Sequence, residues 1–399
     1  MADRRVDHLL IGGGIASATC ARALREAGAT GSVLLVGREL DPPYHRPPIS
    51  KGYLAGAETK DDALIELPGD IEALTRTSVL ELDPAARTAK LSTKETVEYR
   101  TALMATGAMV RRLAVDGAQL DGIHYLRALG NADTLRRDVA EADRIVCVGG
   151  SFIGCEVAAT LTAFGKRCTV VLLEEEPMER AFGLQAGAYV RGVLEQHGVE
   201  VVSGAEVERF EPDAQAERVA RVVLAGGRTL AADAVVCGVG AQPDVMLARK
   251  AGLELGPLGG VRCNARLAVA GAEGLYAAGD MCEYDSPVHG RVVRIEHEEV
   301  AAAHGRTVAR NMLGAGAEHT EVPYFWTDLA DWTTLEYVGP AHGWDEEVLD
   351  GDPASGAFAI WYLRDGRVAA MLRAGGRGDL ERAKALIACG EPVAAADLA

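Results

Sequence analysis

The chain has 399 residues, of which 48% are hydrophobic and 25% are charged, and its formal net charge is −17 at pH 7. This length can form roughly two or three domains with cores of their own. The acidic balance argues against nucleic acid and anionic membranes as partners, because both favour Lys and Arg patches. Eight scattered cysteines without CxxC spacing or a Cys/His cluster indicate reduced thiols in a cytoplasmic protein with no metal site, and no apolar run is long enough for a transmembrane helix.

The first predicted element is a nucleotide-binding βα unit. An apolar strand over residues 6–11 precedes Gly12-Gly13-Gly14, and a helix follows to about Ala27. Glycines in such a turn let the backbone approach a pyrophosphate, and the helix N-terminus favours its negative charge. Ser17 replaces the third glycine of the motif, so the contact between helix and strand must accommodate a hydroxyl group.

Charged side chains follow the second strand of this unit, which is predicted over residues 33–36. Glu39 lies near the strand end, where an acidic residue that binds a nucleotide ribose is expected. Arg38 lies beside it, so the sequence leaves open which of the two contacts the ligand. The order of strand, glycine turn, helix and second strand is more specific than a glycine motif alone.

A proline-rich stretch comes next, at residues 43–51. The stretch contains three prolines, Pro43, Pro47 and Pro48. Each proline fixes its own φ angle and biases the residue before it toward extended geometry. Arg46 and Lys51 are therefore expected on a preset backbone. On composition alone a plain surface turn is equally well supported, because proline clusters usually mark loops. The position directly after a nucleotide unit favours a functional role.

The nucleotide pattern occurs a second time in the middle of the chain. Alternating apolar residues predict antiparallel strands over 76–104, and a link follows near 111–130. A strand at 144–148 then leads into the glycine loop Gly149–Gly154, a helix and a further strand. Two coincidental glycine turns are the alternative, but two complete units in one chain predict two bound dinucleotides.

The second unit ends in the acidic run Glu174-Glu175-Glu176. Such a run often marks only the solvated start of a helix. Glu174 nevertheless lies at the strand end where a ribose-binding acid is expected, and the negative charge would repel a 2′-phosphate. The second ligand is therefore predicted to be NAD in preference to NADP.

The last part of the chain changes its pattern. A short strand ends in Gly279-Asp280, and an Ala-rich helix is predicted over 296–313. Residues 324–371 then alternate with period two, which predicts an antiparallel sheet, and a final helix is expected over 379–388. Strands and helices alternate first and strands dominate later, which indicates a separate C-terminal α+β domain.

With these elements in place, the whole chain resembles the FAD-dependent pyridine-nucleotide reductases. It is most similar to the branch that holds the bacterial ferredoxin reductases of oxygenase systems and apoptosis-inducing factor. The order and spacing of the shared motifs agree from end to end. The motifs that carry the resemblance are Gly12 to Ser17, Pro43 to Leu54, Ala105 to Gly107, Gly149 to Glu156, Gly238 to Gly240, Tyr276 to Asp280 and Pro323 to Asp328.

This resemblance implies an α/β fold with two Rossmann-like dinucleotide-binding domains and a C-terminal α+β domain. The FAD domain is expected to be discontinuous, over residues 1–112 and 239–318. The NAD domain is inserted between these segments over 113–238, and the C-terminal domain covers 319–399.

The resemblance also implies which residues contact the cofactors. FAD is expected to contact Gly12, Gly14, Ile15, Ala16, Ser17, Arg38, Glu39, Arg46, Lys51, Val79, Thr106, Gly107, Asp280, Glu296, His297 and Trp326. NAD is expected to contact Gly149, Gly150, Phe152, Ile153, Glu156, Glu174 and Gly240. Three assignments have alternatives: Asp280 as a helix N-cap, His297 as a capped helix start, and Trp326 as a core residue.

Lys51 and Glu156 are the catalytic residues that the resemblance implies, as an ion pair near the flavin. Such a pair is costly to bury unless it is satisfied, so it would mark a functional site. The alternative for Glu156 is an exposed acid in the first turn of a helix. The chemistry itself belongs to the cofactors, with hydride passing from the nicotinamide C4 to the flavin N5.

Thiol chemistry is not expected, in contrast to related oxidases, peroxidases and disulfide reductases. Those relatives carry redox cysteines in the segment after the first nucleotide unit, where this chain reads Ile49-Ser50-Lys51. Cys155 is the only cysteine within a motif, and helix packing is its favoured role.

The leading hypothesis is therefore an NADH-dependent FAD enzyme that passes electrons to a [2Fe–2S] ferredoxin, acting as a monomer or homodimer. One alternative is a flavoprotein similar to apoptosis-inducing factor, which responds to NADH through a persistent reduced FAD–NAD complex; the Glu296-His297 pair motivates it. Another alternative is reduction of a quinone or other small acceptor. The net acidic charge argues mildly against binding of an acidic ferredoxin, which would need a local basic or apolar patch on this protein for docking.

Overall fold

The computed structural model describes residues 2–339 and 343–398. Residues 1, 340–342 and 399, which belong to the predicted FAD and C-terminal domains, lie outside the described residues. The chain divides into two units. The first unit comprises Met1–His45, Ala63–Met109 and Gln242–Phe325, and the second comprises Arg46–Asp62, Val110–Ala241 and Trp326–Ala399. The second unit thus holds most of both the predicted NAD domain and the predicted C-terminal domain, and the predicted domain boundaries stay a prediction.

Both units contain strands and helices. The strands are β1 (Arg4–Ile11), β2 (Val33–Val36), β3 (Glu72–Leu74), β4 (Val79–Asp83), β5 (Thr88–Leu91), β6 (Thr96–Met104), β7 (Ala108–Val110), β8 (Ile123–His124), β9 (Arg144–Val148), β10 (Arg167–Val171), β11 (Glu200–Val202), β12 (Val207–Pro212), β13 (Val219–Leu224), β14 (Thr229–Ala231), β15 (Ala234–Cys237), β16 (Ala241–Pro243), β17 (Val261–Cys263), β18 (Leu275–Ala277), β19 (Cys282–Ser286), β20 (Arg291–Val293), β21 (Tyr324–Leu329), β22 (Thr333–Val338), β23 (Glu346–Asp352), β24 (Ala357–Arg364) and β25 (Arg367–Ala374). The helices are α1 (Ile15–Glu26), α2 (Gly52–Ala55), α3 (Lys60–Ala63), α4 (Leu129–Glu141), α5 (Phe152–Ala163), α6 (Glu179–Gln196), α7 (Met246–Lys250), α8 (Glu298–Met312) and α9 (Leu380–Cys389).

A mixed sheet forms the core of the first unit, with strand order β3-β2-β1-β6-β5-β4 and β18 also paired to β6. β1 runs parallel to both β2 and β6, with Leu9 opposite Leu34 on one side and Ala102 on the other. These residues are fully buried, as expected for strands covered on both faces. Helices α1 and α8 pack against each other on this core, where Gly305 lies against Ala16.

The second unit contains a parallel sheet with the order β11-β10-β9-β15-β8. Its strands are short and rich in Val and Cys, which suits a sheet buried on both faces. A separate three-stranded sheet, β12-β13-β14, is antiparallel. A five-stranded sheet with the order β21-β22-β25-β24-β23, followed by α9, gives the predicted C-terminal α+β region. The predicted α/β fold class with two dinucleotide-binding sheets is confirmed.

The predicted link near 111–130 was only partly correct. It contains β8 and ends at the start of α4, a helix of 13 residues that the sequence analysis did not predict. Leu129, Ala132, Leu135 and Val139 are buried at helical spacing along α4. The helical signal was therefore present, but charged residues between these positions obscured it.

The proline-rich stretch also differs from its prediction at Arg46. Extended geometry was expected there, but Arg46 has φ −83° and ψ −31°, which is right-handed helical. It precedes a short 3₁₀ helix, Pro47–Ser50, and its carbonyl accepts the N–H of Ile49 at 3.0 Å. Its guanidinium donates to the carbonyl of Arg127 at 2.5 Å. These two hydrogen bonds stabilise the helical conformation against the steric bias that a following proline imposes.

Candidate functional site

The first glycine turn joins β1 to α1 in the first unit. Gly12 has φ +126°, and a Cβ at this position would collide with the carbonyl of Ala105 at the end of β6. Only glycine fits this conformation and this contact. Gly14 is the N-cap of α1 and provides no side-chain cap, so the first N–H groups of the helix remain available to a ligand. A bare backbone turn at a helix N-terminus fits the pyrophosphate of a dinucleotide.

The first turn of α1 contains Ile15, Ala16 and Ser17, which were predicted to contact FAD. Ala16 and Ser17 are buried, and Ile15 is partly buried. The Ser17 hydroxyl has no hydrogen-bond partner among the residues that the structure describes. The sequence required this hydroxyl to be accommodated at the third glycine position, and the described part of the chain accommodates it without a hydrogen bond.

Arg38 and Glu39 both follow β2, and each is held by another side chain. Arg38 forms an ion pair with Asp244 at 2.7 Å. Glu39 accepts a hydrogen bond from the Tyr44 hydroxyl at 2.5 Å. The sequence left open which of the two contacts a ribose. Because the Arg38 guanidinium is engaged by a carboxylate, Glu39 is the better candidate.

Asp244 is a buried residue beside three of the predicted FAD contacts, and it was not predicted from the sequence. Besides pairing with Arg38, it accepts a hydrogen bond at its main-chain carbonyl from the Thr106 hydroxyl, at 2.6 Å. Gly107 accepts from the Asp244 N–H at 2.8 Å. One buried residue therefore connects three residues that were predicted separately as FAD contacts. Its distance from them in the sequence left no local signal for this role.

The remaining predicted FAD contacts of the first unit lie on β4 and around the start of α8. Val79 is the first residue of β4, and Asp280 lies in a 3₁₀ helix, Gly279–Met281. Glu296 forms an ion pair with Arg294. His297 is the N-cap of α8 without a capping hydrogen bond from its side chain, and its ring stacks on Phe325 at 3.7 Å between centroids.

The alternative of a capped helix start at His297 therefore receives no support from its side chain. Gly279 lies beside Ala16 of α1, so the Asp280 turn is close to the first glycine turn. His304 of α8, which was not predicted, accepts the N–H of Gly279 at its Nδ1 atom, at 3.2 Å. Burial lowers the pKa of His304 well below its usual value, so the ring is a neutral acceptor.

The second glycine turn joins β9 to α5 in the second unit. Gly149 has φ +108°, and a Cβ there would collide with the carbonyl of Gly238. Ser151 is the extended N-cap of α5 and makes no side-chain capping bond. This turn therefore repeats the features of the first. Gly150 lies in it, Ile153 is partly buried in the first turn of α5, and Gly240 follows β15.

Phe152 begins α5, and its ring packs edge-on against Phe182 at 5.6 Å between centroids. Glu174 follows β10, as predicted for a ribose-binding acid, and forms an ion pair with the exposed Arg180. Glu176 is bound instead by Arg191, at 2.6 Å. Arg180 can separate from Glu174 at a small cost in free energy, because ion pairs with an exposed partner contribute little to stability. Glu174 is thus the acid at this strand end that can be released to bind a ligand.

Lys51 and Glu156 meet in the second unit. The Lys51 Nζ and Glu156 Oε1 atoms are 2.6 Å apart, and the side chains are 18% and 6% exposed. The contact that the resemblance implied is therefore confirmed, and the alternative of an exposed Glu156 was wrong. Two hydroxyl groups, from Ser50 and Thr327, also donate to the Glu156 carboxylate. Neither hydroxyl contact was predicted from the sequence.

Trp326 lies two residues before Asp328, and its indole N–H donates to the Asp328 carboxylate at 3.1 Å. The side chain is only partly buried, so the alternative of a fully buried core tryptophan is not supported. Its predicted contact with FAD stays a prediction.

Cys155 has the packing role that was favoured for it. It is fully buried in α5, and its thiol donates to the carbonyl of Gly150 at 3.4 Å. Burial raises the pKa of this thiol, so it stays protonated and is a poor nucleophile. Seven of the eight cysteines are buried free thiols, and Cys389 is exposed.

Within residues 2–339 and 343–398, no group of three or more His, Cys, Asp or Glu side chains has an arrangement that could hold a metal ion. No helix in the same ranges combines the length and hydropathy that a membrane span requires.

The chain belongs to the pyridine nucleotide-disulphide oxidoreductase family, whose model matches residues 6–305. A second family model, described as Reductase C-terminal, matches residues 324–399. The chain is 33% identical to the ferredoxin reductase subunit of 5,5′-dehydrodivanillate O-demethylase from Sphingobium sp., over 97% of this chain and 94% of that protein.

Two other proteins are similar along almost their whole length. The ferredoxin–NAD(+) reductase subunit of the benzene 1,2-dioxygenase system from Pseudomonas putida is 33% identical, over 95% of this chain and 91% of that protein. The reductase of a covalent putidaredoxin reductase–putidaredoxin complex has a TM-score of 0.92 at 29% identity, with 100% of this chain and 96% of that chain covered.

FAD and NAD(H) are the cofactors of this family, and two observations test whether the chain fits them. Each unit contains a glycine turn in which a Cβ would collide with a carbonyl, at Gly12 and at Gly149. Each turn is followed by a helix whose first N–H groups have no side-chain cap. Both features suit a dinucleotide diphosphate, so the residues present fit one cofactor in each unit.

The buried pair gives a direct prediction. Lys51→Ala should leave FAD bound and slow the reduction of FAD by NADH about tenfold or more, because it removes the cation that Glu156 holds in place. It should also lower the free energy of unfolding by about 3 kcal/mol, since it leaves a buried carboxylate without its counter-ion. Stopped-flow reduction without oxygen and denaturant unfolding measure the two effects.

The matched control is Lys384→Ala, which breaks an exposed Lys–Glu pair of 2.7 Å in the same unit. It should change neither quantity measurably, because exposed pairs contribute little. Unchanged reduction kinetics in Lys51→Ala would contradict the proposed role of this lysine in the reaction.

Proposed function

We propose that this protein is an NADH:ferredoxin reductase, which takes electrons from NADH through FAD and passes them to a small [2Fe–2S] ferredoxin. The main structural support for this function is the buried Lys51–Glu156 ion pair in a chain that also has two dinucleotide turns. Proteins similar to almost the whole chain are named as ferredoxin reductases, and one was solved in complex with putidaredoxin. A fold alone does not imply a function, so the proposal rests on the site residues together with this similarity to ferredoxin reductases over nearly the full length.

When bound, the two cofactors would supply the redox chemistry, namely hydride transfer from NADH and release of single electrons from the flavin. The protein binds the two cofactors and orients them. The first unit offers the turn at Gly12, with Glu39 as the ribose-binding acid, and the second offers the turn at Gly149, with Glu174 in the same role. Lys51, held by Glu156, is the charged group that supports the hydride step.

The two alternative functions are less well supported. A signalling role like that of apoptosis-inducing factor was motivated by the pair Glu296-His297. In the structure Glu296 is paired with Arg294, and His297 stacks on Phe325. Neither contact indicates a long-lived reduced state. Direct reduction of a quinone is not indicated by the names of the similar proteins reported above, which are ferredoxin reductases. The ferredoxin reductase function therefore remains the better supported of the three.

A cytoplasmic location belongs to this proposal. Seven buried cysteines are free thiols, and reduced thiols are typical of a cytoplasmic protein.

The function predicts how electrons leave the protein. With NADH as donor, cytochrome c should be reduced rapidly only when a [2Fe–2S] ferredoxin is added, because the ferredoxin carries the electrons between the two proteins. The same ferredoxin without its iron–sulfur cluster is the matched control and should not stimulate. If no ferredoxin encoded beside this protein stimulates the reaction, the proposed acceptor is wrong.

A preference for NADH over NADPH follows from the charges at the end of β10. Glu174 accepts ribose hydroxyls and repels a 2′-phosphate. Arg180, which is 79% exposed, now neutralises part of that charge. Removal of the acid would leave this arginine free, and arginine is the side chain that suits a phosphate group.

Glu174→Gln should therefore raise kcat/KM for NADPH about tenfold relative to NADH, since one charge-assisted hydrogen bond to a phosphate contributes on that order. Steady-state kinetics with both donors measures this ratio. Glu200→Gln removes one negative charge from the same sheet, where Glu200 pairs with Arg228 at 2.7 Å, and should leave the ratio unchanged. An unchanged ratio in Glu174→Gln would contradict the assignment of Glu174.

A further inference from the structure

Both oxygens of the Glu156 carboxylate are engaged in the second unit. Oε1 is 2.6 Å from the Lys51 Nζ atom and accepts the Thr327 hydroxyl at 2.7 Å. Oε2 accepts the Ser50 hydroxyl at 2.6 Å. An ionised carboxylate only accepts hydrogen bonds, so both hydroxyl groups must donate to it. Three donors thus fix the orientation of this one carboxylate.

The Ser50 contact is part of a second connection to the same helix. The Thr160 hydroxyl, one turn after Glu156 in α5, donates to the Ser50 carbonyl at 2.9 Å. Ser50 is therefore bound to α5 through its main chain and its side chain. Its hydroxyl is also 3.3 Å from the Pro47 carbonyl, but the shorter contact to a charged acceptor is the stronger one.

The Thr327 contact comes from the C-terminal part of the chain. Thr327 lies on β21 and is 1% exposed. It belongs to the segment that the Reductase C-terminal family model matches. The C-terminal segment therefore contributes a buried donor to a carboxylate on the helix that follows the second dinucleotide turn.

We propose that Ser50 and Thr327 are positioning residues for the hydride step, and that the C-terminal segment takes part in this step through Thr327. This inference rests on the proposed role of Lys51. The lysine side chain is flexible, with a point charge on a four-carbon stem, so its Nζ atom is located by its partner. A carboxylate held at both oxygens fixes that partner. Displacements of about 1 Å at a reacting centre can slow a reaction by up to roughly a hundredfold.

The test compares variants that remove or keep the hydroxyl. Thr327→Val is close in shape and lacks the donor, whereas Thr327→Ser keeps it. We expect the limiting rate of FAD reduction at saturating NADH to fall about tenfold in Thr327→Val and to stay within about twofold in Thr327→Ser. The apparent Kd for NADH should not change, because Thr327 acts on the position of Lys51. Stopped-flow absorbance of the FAD-loaded protein separates the two parameters.

Thr334→Val is the matched control. Its hydroxyl donates to the Asp328 carboxylate at 2.6 Å on an exposed part of the same C-terminal sheet. The substitution is chemically the same and also removes a hydrogen bond to a carboxylate. Its limiting rate should equal that of the wild type, so an effect confined to Thr327 identifies the bond to Glu156.

Ser50→Ala tests the inference from the other carboxylate oxygen, and it remains informative if Thr327→Val does not retain FAD. It should slow the limiting rate in the same way. Combination with Lys51→Ala gives the decisive comparison: if both hydroxyl groups act through Lys51, neither substitution slows the reaction further once this lysine is absent.

Two results would overturn the inference while leaving the proposed function intact. One is a wild-type limiting rate in both Thr327→Val and Ser50→Ala. The other is an equal slowing of the reaction with and without Lys51. By contrast, a wild-type rate in Lys51→Ala alone would contradict the proposed role of the lysine itself.

Discussion

A buried carboxylate must be satisfied, and three donors from two separate segments meet this requirement at Glu156 in the second unit. The side chain is 6% exposed, so removing its partners would cost several kcal/mol. Its donors come from the stretch over 43–51 and from β21, and the acid itself lies on α5. Segments that are far apart in the sequence must therefore converge on one side chain. A buried ion pair of this kind adds little to the stability of the fold, but its hydrogen bonds hold the Glu156 charge in a defined position.

The two dinucleotide turns are built on a different principle. At Gly12 and Gly149 the main chain passes so close to a carbonyl that no side chain fits, and uncapped helices present their N–H groups. These turns use almost no side-chain chemistry, which is why the same pattern can serve two cofactors. We propose that specificity comes from the acids after the second strands, Glu39, which is bonded to Tyr44, and Glu174, which is paired with Arg180.

Sequence reasoning succeeded where the signal is local or is shared with a family. The glycine turns depend on neighbouring residues, and the family resemblance supplied the pairing of Lys51 with Glu156. Sequence reasoning failed where two distant segments are joined by a contact between common residue types. Ser50 and Thr327 are ordinary hydroxyl residues, and nothing near them in the sequence indicates a carboxylate partner. The helical Arg46 shows a third limit, since hydrogen bonds made in the folded chain override a local steric bias.

The central claim is that electrons enter from NADH, pass through FAD and leave to a ferredoxin. Sequential mixing tests it most directly: the protein is reduced with NADH in the absence of oxygen and then mixed with an oxidised [2Fe–2S] ferredoxin. A hydride carries two electrons and each cluster accepts one, so two ferredoxins should be reduced for each NADH as the flavin is reoxidised. A flavin that stays reduced for as long with ferredoxin as without it would contradict the claim.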